Sequence, residues 1–339
     1  MSWVRARWIE LACLGLGLGL LTGIVWHVGV ETLVRDLGIL GWGLLLILTV
    51  ESLAVTFNTS GWLLAFPAGE RTIRPGRLFA VRLAGDGVNY LTPSGSVGGE
   101  LLRIRLLGGG MPLGVRWASV SVAKIGQTVA QAVFVLLGLA LVLPRLTHTA
   151  PWVTWVLAGG VATGVSVAFT WLLSRGIWRT FASVVRGIGL RRWLPGSWAG
   201  PGQDLDAALG RLGGWRLTGS LACFLGGWTV GAAEIYLILT WLGGPVDWQT
   251  ALAVETGSVF IDGVLFFIPA KLGTQEGGKV VLFAALGLSP ARGLTVGVVR
   301  RIRELTYAGL GMAALGWLTA RRGPALHTAV VRPPAEWRP

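Results

Sequence analysis

Asp86-Gly-Val-Asn-Tyr-Leu-Thr-Pro93-Ser-Gly-Ser-Val-Gly-Gly-Glu100 is a polar, glycine-rich stretch in an otherwise apolar chain. A second copy, Asp262-Gly-Val-Leu-Phe-Phe-Ile-Pro269-Ala-Lys-Leu-Gly-Thr-Gln-Glu276, lies 176 residues downstream. The copies are identical at the Asp, the following Gly-Val pair, the Pro and the final Glu. Five identities in fifteen positions exceed the roughly one expected by chance, so we interpret the pair as an internal repeat.

The same shift aligns basic residues beyond the motif. The pairs that it brings into register are Arg103 with Lys279, Arg116 with Arg292 and Lys124 with Arg300. We therefore predict one transmembrane domain, 1–339, with pseudo-repeat halves at roughly 37–143 and 217–318 and a basic loop at 174–216.

The composition is that of a membrane protein. Mean hydropathy is +0.65, hydrophobic residues make up 53% and charged residues only 13%. A soluble domain of this length carries more charge, whereas a polytopic membrane protein does not need it. The net charge of +13 comes from arginines in short loops between apolar runs, which is the positive-inside pattern rather than a nucleic-acid interface.

Cysteine and histidine usage argues against a metal or disulfide framework. Both cysteines lie inside apolar runs, and the three histidines have no carboxylate or cysteine at ligand spacing. We therefore predict no metal site, no cofactor and no catalytic residues, so an enzyme is the less favoured class.

Apolar runs of about 20 residues predict about six full crossings. The first runs over 9–30 and ends at a polar turn, 31–36; the second run, 37–66, is longer than one crossing. The arginine distribution predicts that both termini and the loop 174–216 lie on the cytoplasmic side of the membrane.

The two motif copies interrupt this pattern. Pro93 and the glycines after it break any helix over 78–107, and we predict a pair of half-helices that returns to the face it entered from. The second copy, within 248–287, would be re-entrant from the other face, because three crossings separate the copies. The predicted fold is an all-α polytopic membrane protein with about six crossings and two re-entrant broken-helix hairpins in an inverted-topology repeat.

Broken helices at corresponding positions of two halves are a sequence signature of a transporter's binding site. Half-helices that begin near Ser96 and Thr274 would direct backbone N–H groups into a cavity, and cations from both halves add positive charge. Lys124, Gln127, Thr128 and Gln131 share one helical face. We predict an anionic guest, such as a lipid phosphate, and these binding residues: Asp86, Asn89, Pro93, Gly99, Glu100, Arg103, Lys124, Asp262, Pro269, Gly273, Gln275, Glu276, Lys279, Arg300 and Arg303.

The repeat also predicts that its two copies meet. Pro93 and Pro269 should lie close together, with Glu100 and Glu276 lining one cavity. Two carboxylates so close repel unless cations separate them, and we expect that role for Arg103, Lys279 and Arg300.

A structural interpretation of the same charges stays open. A glutamate in the first turn of a half-helix complements the helix dipole. Glu100–Arg103 and Glu276–Lys279 are also i,i+3 pairs that would neutralise each other. Because ionisable groups at membrane depth are costly, we interpret the set as functional.

Three isolated acids, Glu51, Glu234 and Glu255, lie within apolar runs. Each could ligate a coupling ion, carry a proton or pair with a nearby arginine. We expect the pairing role for Glu51 and leave the roles of the other two open.

Asn89-x3-Pro93-x4-Gly98-Gly99-Glu100-x2-Arg103, followed downstream by Pro269-x3-Gly273-x-Gln275-Glu276-Gly277-Gly278, resembles a known family. It is the flippase-like integral membrane family that includes the membrane domain of lysylphosphatidylglycerol synthases. The stretch from Phe267 to Gly278 is most similar to the hopanoid-biosynthesis-associated branch. The resemblance covers nearly the whole chain and implies an inner-membrane protein that moves an anionic or sugar-bearing lipid between leaflets.

Two departures qualify the resemblance. The chain ends soon after its last predicted span, so we expect it to lack the soluble aminoacyl-transferase domain of the synthases. Lys271 and Thr274 add polar character to the second copy, which points to a different head group.

Three function classes follow. A lipid flippase leads, followed by an intramembrane enzyme that modifies a lipid head group, with Glu100 or Glu276 as general base. The third class is a non-catalytic membrane partner of lipid-biosynthetic enzymes that binds them through loop 174–216. We expect a lipid substrate and no nucleic-acid partner; the sequence does not indicate the lipid, the direction of movement, the energy source or the oligomeric state.

Overall fold

The computed structural model of the chain describes residues 30–67, 69, 71–92, 97–108, 110–147, 206–207, 212–243, 246–264 and 273–320. The elements of this part of the chain are helices, which confirms the all-α class there. We number them α1 Val30–Leu40, α2 Gly43–Leu64, α3 Pro75–Leu91, α4 Val97–Leu107, α5 Leu113–Thr147, α6 Gly214–Trp241, α7 Trp248–Val264, α8 Thr274–Ala285 and α9 Pro290–Ala320.

Three of the described helices are long and apolar enough to cross a bilayer: α2, the segment Leu113–Ala140 of α5, and α6. At 22 to 28 residues they measure about 33 to 42 Å, which exceeds a hydrocarbon core of about 30 Å. Helix α9 is longer, at 31 residues, but four charged residues between positions 300 and 304 interrupt its apolar character. The predicted total of six crossings stays a prediction, because 9–29 and 148–205 lie outside the described residues.

The predicted polar turn over 31–36 is wrong, because this segment belongs to helix α1. The helix is amphipathic: Asp36 and Leu40, one turn apart, are buried, whereas Arg35 is exposed. Gly41 ends the helix at a φ of 42°, a left-handed conformation that favours glycine. The run 37–66 therefore divides into the end of α1 and the whole of α2.

Helix starts follow the repeat. Helices α4 and α8 begin at Val97 and Thr274, close to the positions predicted from the motif. Each of the helices α2 to α5 has a counterpart among α6 to α9 at an offset close to 176 residues. The paired first residues are Gly43 and Gly214, Pro75 and Trp248, Val97 and Thr274, and Leu113 and Pro290.

Helices α3 and α4 form an antiparallel hairpin, and the first motif includes the end of α3 and the start of α4. Asn89 near the end of α3 contacts Gly99 at the start of α4, while Asp86 pairs with Arg103 one turn further along. Residue numbers thus rise along one helix as they fall along the other. Contacts between α7 and α8 follow the same antiparallel order around the second motif.

The corresponding helices α2 and α6 also run antiparallel. Ser220 near the start of α6 donates to the carbonyl oxygen of Gly61 near the end of α2, at 2.8 Å. At the other end, Gly43 of α2 lies against Trp241 of α6. In addition, α3 packs on α9 and α7 packs on α5, so each half contacts the other through equivalent helices.

Two apolar clusters occupy the two ends of the α2–α6 pair. One includes Trp62 and Phe224, and the other includes Ile47 and Ile238. Charged side chains discussed below lie on all three crossing helices: Glu51 on α2, Lys124 on α5 and Glu234 on α6.

Candidate functional site

A cavity of about 290 Å³ lies between the two hairpins. Both motif copies contribute to it, the first through three residues and the second through Asp262. Carboxylates, amides, a hydroxyl, two cations and an indole ring line its wall: Asp86, Asn89, Glu100, Arg103, Lys124, Gln127, Thr128, Gln131, Trp228, Val259 and Asp262.

Asn89 and Gly99 close the first hairpin. The Asn89 Oδ1 atom accepts a hydrogen bond from the Gly99 backbone N–H at 2.7 Å, which satisfies one of the free N–H groups at the start of α4. A Cβ atom on residue 99 would overlap the carbonyl oxygen of Gly85 and the Asn89 side chain. The two motif residues thus hold α3 against α4 and set the position of the carboxylates beside them.

Arg103 is held by carboxylates of its own hairpin. It pairs with Asp86, and its Nη1 atom donates to Glu100 Oε2 at 2.7 Å. Its guanidinium lies 5.7 Å from the ring centroid of Trp62, and its side chain is only 6% exposed. The predicted i,i+3 pair with Glu100 is confirmed, and most of the guanidinium's hydrogen-bonding capacity is used within the protein.

Arg82 is a member of this cluster that the sequence analysis missed. Its Nε atom donates to Asp86 Oδ2 at 2.9 Å, and its Nη2 atom donates to Gln127 Oε1 at 3.3 Å. The i,i+4 spacing between Arg82 and Asp86 on one helix was the signal that could have revealed it. Asp86 therefore lies between two arginines.

Lys124 is the more accessible cation of the cavity. Its side chain is 45% exposed, and its Nζ atom lies 3.6 Å from Glu100 Oε1. Lys124 shares the cavity wall with Gln127, Thr128 and Gln131, the residues that helical spacing placed on one face. A bound molecule can reach its ammonium group more easily than the buried guanidinium of Arg103.

The equivalent acid of the second copy has a different partner from the predicted one. Glu276, 1% exposed, pairs with Arg301 of α9 at 2.9 Å, and the expected i,i+3 pair with Lys279 is not formed. The reason is packing, since α9 lies against the first turn of α8 with Gly297 beside Glu276. Lys279 is buried and donates to the Gln275 carbonyl oxygen at 3.4 Å.

Gln275 connects the second copy to α9. Its Nε2 group donates to Asp262 Oδ2 and to Glu304 Oε1, each at 3.0 Å. Its helix, α8, begins directly after Gly273, which adopts a left-handed φ of 73°. Asp262 of the large cavity is thus joined to Glu304 through one amide.

Arg300 and Arg303 lie in ion pairs of the second half and do not line the large cavity. Arg300 pairs with Glu255 and, at 3.4 Å, with Glu234. Arg303 pairs with Glu234 and, at 3.0 Å, with Glu51. The expected role of Glu51 as an arginine partner is confirmed.

Glu100 and Glu276 have different surroundings. Glu100 lines the cavity, whereas Glu276 is buried beside Arg301. The predicted approach of Pro93 and Pro269 falls outside the described residues and stays a prediction.

A smaller cavity of about 150 Å³ lies on the other side of Asp86. Its polar lining consists of Glu51, Asp86, Tyr90, Arg303, Glu304 and Tyr307. Asp86 is the residue that lines both cavities.

The 176-residue shift also relates side-chain contacts on other helices. In the first half, Gln127 of α5 donates to Asn58 of α2 at 3.4 Å. At the equivalent positions of the second half, Arg303 of α9 pairs with Glu234 of α6. An amide pair in one half thus corresponds to an ion pair in the other, which supports the repeat beyond the motif itself.

The comparisons with known proteins agree with a membrane protein. A protein-family model described as the lysylphosphatidylglycerol synthase TM region matches residues 8–311. The match includes both motif copies and the cavity residues. No curated protein matches the chain.

Proposed function

Since the chain belongs to the lysylphosphatidylglycerol synthase transmembrane-region family, we propose that it is a lipid flippase that moves a lipid between leaflets. The family and the apolar helices indicate a lipid-related function in a membrane. The observation that carries the proposal is the polar cavity to which both motif copies contribute. Polar walls at membrane depth are tolerated where they line a wet cavity, and a lipid head group needs such a path.

We propose that the halves 37–143 and 217–318 form an inverted-topology repeat, with the two hairpins entering from opposite faces. The antiparallel packing of the equivalent helices α2 and α6 supports this, because equivalent helices of a parallel repeat would point the same way. Transporters of this kind bind substrate at the repeat interface and open alternately to each side. In a background lacking Cys13 and Cys223, Ser94→Cys and Ala270→Cys should be labelled from opposite faces; labelling of both from one face would exclude the inverted repeat.

The cavity supports a sugar-bearing head group better than a bare phosphate. Three carboxylates line it against two cations, and Arg103 is engaged by two of those carboxylates. Carboxylates accept hydrogen bonds from hydroxyl groups, and amides both donate to them and accept from them. Trp228 offers an apolar ring face. Lys124 is placed to contact an anionic group next to the sugar. We include a hopanoid-related lipid in this class because of the resemblance of the second motif.

The other function classes receive less support. A general base in the cavity would need a free carboxylate, but Glu100 already contacts Arg103 and Lys124. Within the described residues no group of three or more His, Cys, Asp or Glu side chains is placed to hold a metal ion. We propose the bacterial inner membrane as the location, with both termini cytoplasmic.

The proposal is tested in proteoliposomes that contain fluorescently labelled lipids. The panel is a glucosyl diacylglycerol, phosphatidylglycerol and lysylphosphatidylglycerol, and a membrane-impermeant quencher reports the lipid in the outer leaflet. We expect the wild type to transfer the sugar lipid and Asp86→Asn to lose this transfer. Glu31→Gln, which changes an exposed acid on α1, should transfer the lipid at the wild-type rate. If the labelled lipid of the inner leaflet never becomes accessible to the quencher, the flippase proposal is wrong. A change in the mass of the lipid would favour the enzyme.

A further inference from the structure

Five residues form a buried charged cluster beside the smaller cavity, here called the α9 cluster: Glu51, Glu234, Glu255, Arg300 and Arg303. Its members are joined by ion pairs. With every group ionised, three carboxylates face two guanidinium groups, which leaves one negative charge in excess. The neighbouring groups do not cancel this excess, because their acids and bases are equal in number. The acids are Asp86, Glu100, Asp262, Glu276 and Glu304, and the bases are Arg82, Arg103, Lys124, Lys279 and Arg301.

One carboxylate oxygen of the cluster has no partner. Within the described residues, Glu234 Oε1 is buried and accepts no hydrogen bond. Burial of an unpaired carboxylate oxygen is costly in a medium of low dielectric constant. In the same described part of the chain, the Nε atoms of Arg300 and Arg303 are likewise buried without a hydrogen-bond partner, so the cluster is incompletely paired on both sides. The excess of one carboxylate over the guanidinium groups is what allows the cluster to take one added positive charge.

Glu51 is the carboxylate of the cluster that is most open to the smaller cavity. Its side chain is 24% exposed and lines the smaller cavity, whereas the side chain of Glu234 is 2% exposed. Arg303 contacts both carboxylates. A proton on Glu51 would weaken its ion pair with Arg303, and the guanidinium would keep Glu234 as its partner.

We propose that Glu51, together with Arg303 and Glu234, is a proton-binding site that couples lipid movement to a proton gradient. A hydronium ion in the smaller cavity transfers a proton to the Glu51 carboxylate and leaves a water molecule. After the cavity opens to the other side, Glu51 returns the proton to water and pairs again with Arg303. This inference rests on the proposed flippase function and adds its energy source.

The charged and titratable groups around Glu51 come from four helices. They are Glu234 of α6, Arg300, Arg303, Glu304 and Tyr307 of α9, Asp86 and Tyr90 of α3, and Glu255 of α7. Arginines stay charged at any working pH, so the titrating event falls on a carboxylate. Of the carboxylates in the α9 cluster, Glu51 is the most exposed.

A proton suits the α9 cluster better than a sodium ion. Guanidinium groups already occupy ion-pairing positions on its carboxylates, and they would repel a second full cation held beside them. A proton binds one oxygen covalently and needs no further ligands. Sodium dependence is therefore an outcome that would overturn the proposal.

The smaller cavity and the cavity of about 290 Å³, here called the head-group cavity, share the lining residue Asp86. Asp86 also pairs with Arg82 and Arg103, so a change of charge at Glu51 acts on a carboxylate of the head-group wall. In the first half, the positions equivalent to Glu234 and Arg303 are occupied by the amides of Asn58 and Gln127, which do not titrate. The asymmetry predicts one proton for each lipid moved.

The proton site is tested first without any lipid substrate. Infrared difference spectra of the purified full chain in liposomes, taken while the pH is stepped, should show the C=O stretching band of a carboxylic acid. Glu51→Gln should remove this band, and Glu31→Gln should retain it. The same band in Glu51→Gln, or an unchanged spectrum in the wild type, would overturn the proposal whether or not the protein moves lipids.

The coupling is tested with the labelled glucosyl diacylglycerol in vesicles carrying a pH gradient and an internal pH dye. One proton per lipid and a difference of one pH unit support about a tenfold ratio of labelled lipid between leaflets. Glu51→Gln should lower this ratio to about one and abolish proton uptake. Lipid movement in the wild type that ignores the pH gradient, or that follows a sodium gradient, would overturn coupling while leaving the flippase proposal intact. Absence of any lipid movement, with the infrared band present, would contradict the flippase and not the proton site.

Discussion

The two halves of the molecule place different chemistry on equivalent helices. In the first half, α2 and α5 meet through the amides of Asn58 and Gln127, and the hairpin carboxylates face a cavity. In the second half, α6 and α9 meet through Glu234 and Arg303, and the hairpin glutamate is buried. The comparison teaches that helices at an offset of about 176 residues can make contacts at the same positions through different side chains.

The difference has an energetic basis. An amide pair loses little when one partner is exposed to a cavity, whereas a buried ion pair leaves an uncompensated charge when one partner is removed. The first half therefore suits a surface that must bind and release a guest. The second half suits a network whose charges are coupled to each other.

The largest loss of stability is expected from breaking a buried ion pair of the second half. Arg300→Gln leaves Glu255 without its arginine partner and should destabilise the protein by about 3 to 5 kcal/mol. Thermal unfolding in detergent measures the change, and Lys124→Gln, which removes a half-exposed cation, is the matched control. Equal melting temperatures for the two variants would show that the halves do not differ in this way.

An intermediate effect is expected from the hairpin pair of the first half. Arg103→Gln should reduce the transfer of labelled lipid, because Asp86 and Glu100 lose a shared partner. If Arg103 serves mainly to neutralise Glu100, the double change Glu100→Gln with Arg103→Gln should recover part of the activity, with a coupling of about 0.5 to 3 kcal/mol. Additive losses would instead indicate that Arg103 acts on the lipid itself.

The smallest effect is expected from replacing the amide pair of the first half by an ion pair like that of the second half. Asn58→Glu and Gln127→Arg alone each introduce an unpaired charge between helices and should lower stability by about 1 to 3 kcal/mol. Together they recreate the pair that Glu234 and Arg303 form, and the double variant should be more stable than the sum of the single changes predicts. A strictly additive result would argue that positions 58 and 127 are not equivalent to 234 and 303.

Much of the fold followed from local signals in the sequence. Pro93 and the glycines of the motif predicted where the helix breaks, because proline lacks the backbone N–H of a helical hydrogen bond and glycine has a low helix propensity. The 176-residue offset then predicted the start of α8 at Thr274. Helix α1 was not predicted, because the charged residues within 31–36 indicated a polar turn and its helical period was overlooked.

The ion pairs were less predictable, because several arginines compete for each carboxylate. Neighbours in sequence predicted the Glu100–Arg103 pair correctly, yet Glu276 pairs with Arg301 from another helix. Which partner wins depends on how closely α9 approaches α8, and that distance follows from packing at glycines such as Gly297. Such information lies in the tertiary structure rather than in the spacing of charges.

The central claim is that a lipid head group passes through the cavity between the two hairpins. Asn89 of the first and Val259 of the second line this cavity, so cysteines at these positions, in a background lacking Cys13 and Cys223, can be joined by a cleavable bifunctional thiol reagent. The measurement is the transfer of labelled glucosyl diacylglycerol before cross-linking, after it and after cleavage. We predict that the cross-link stops transfer and that its cleavage restores it. Transfer at an undiminished rate through a fully cross-linked protein would contradict the account.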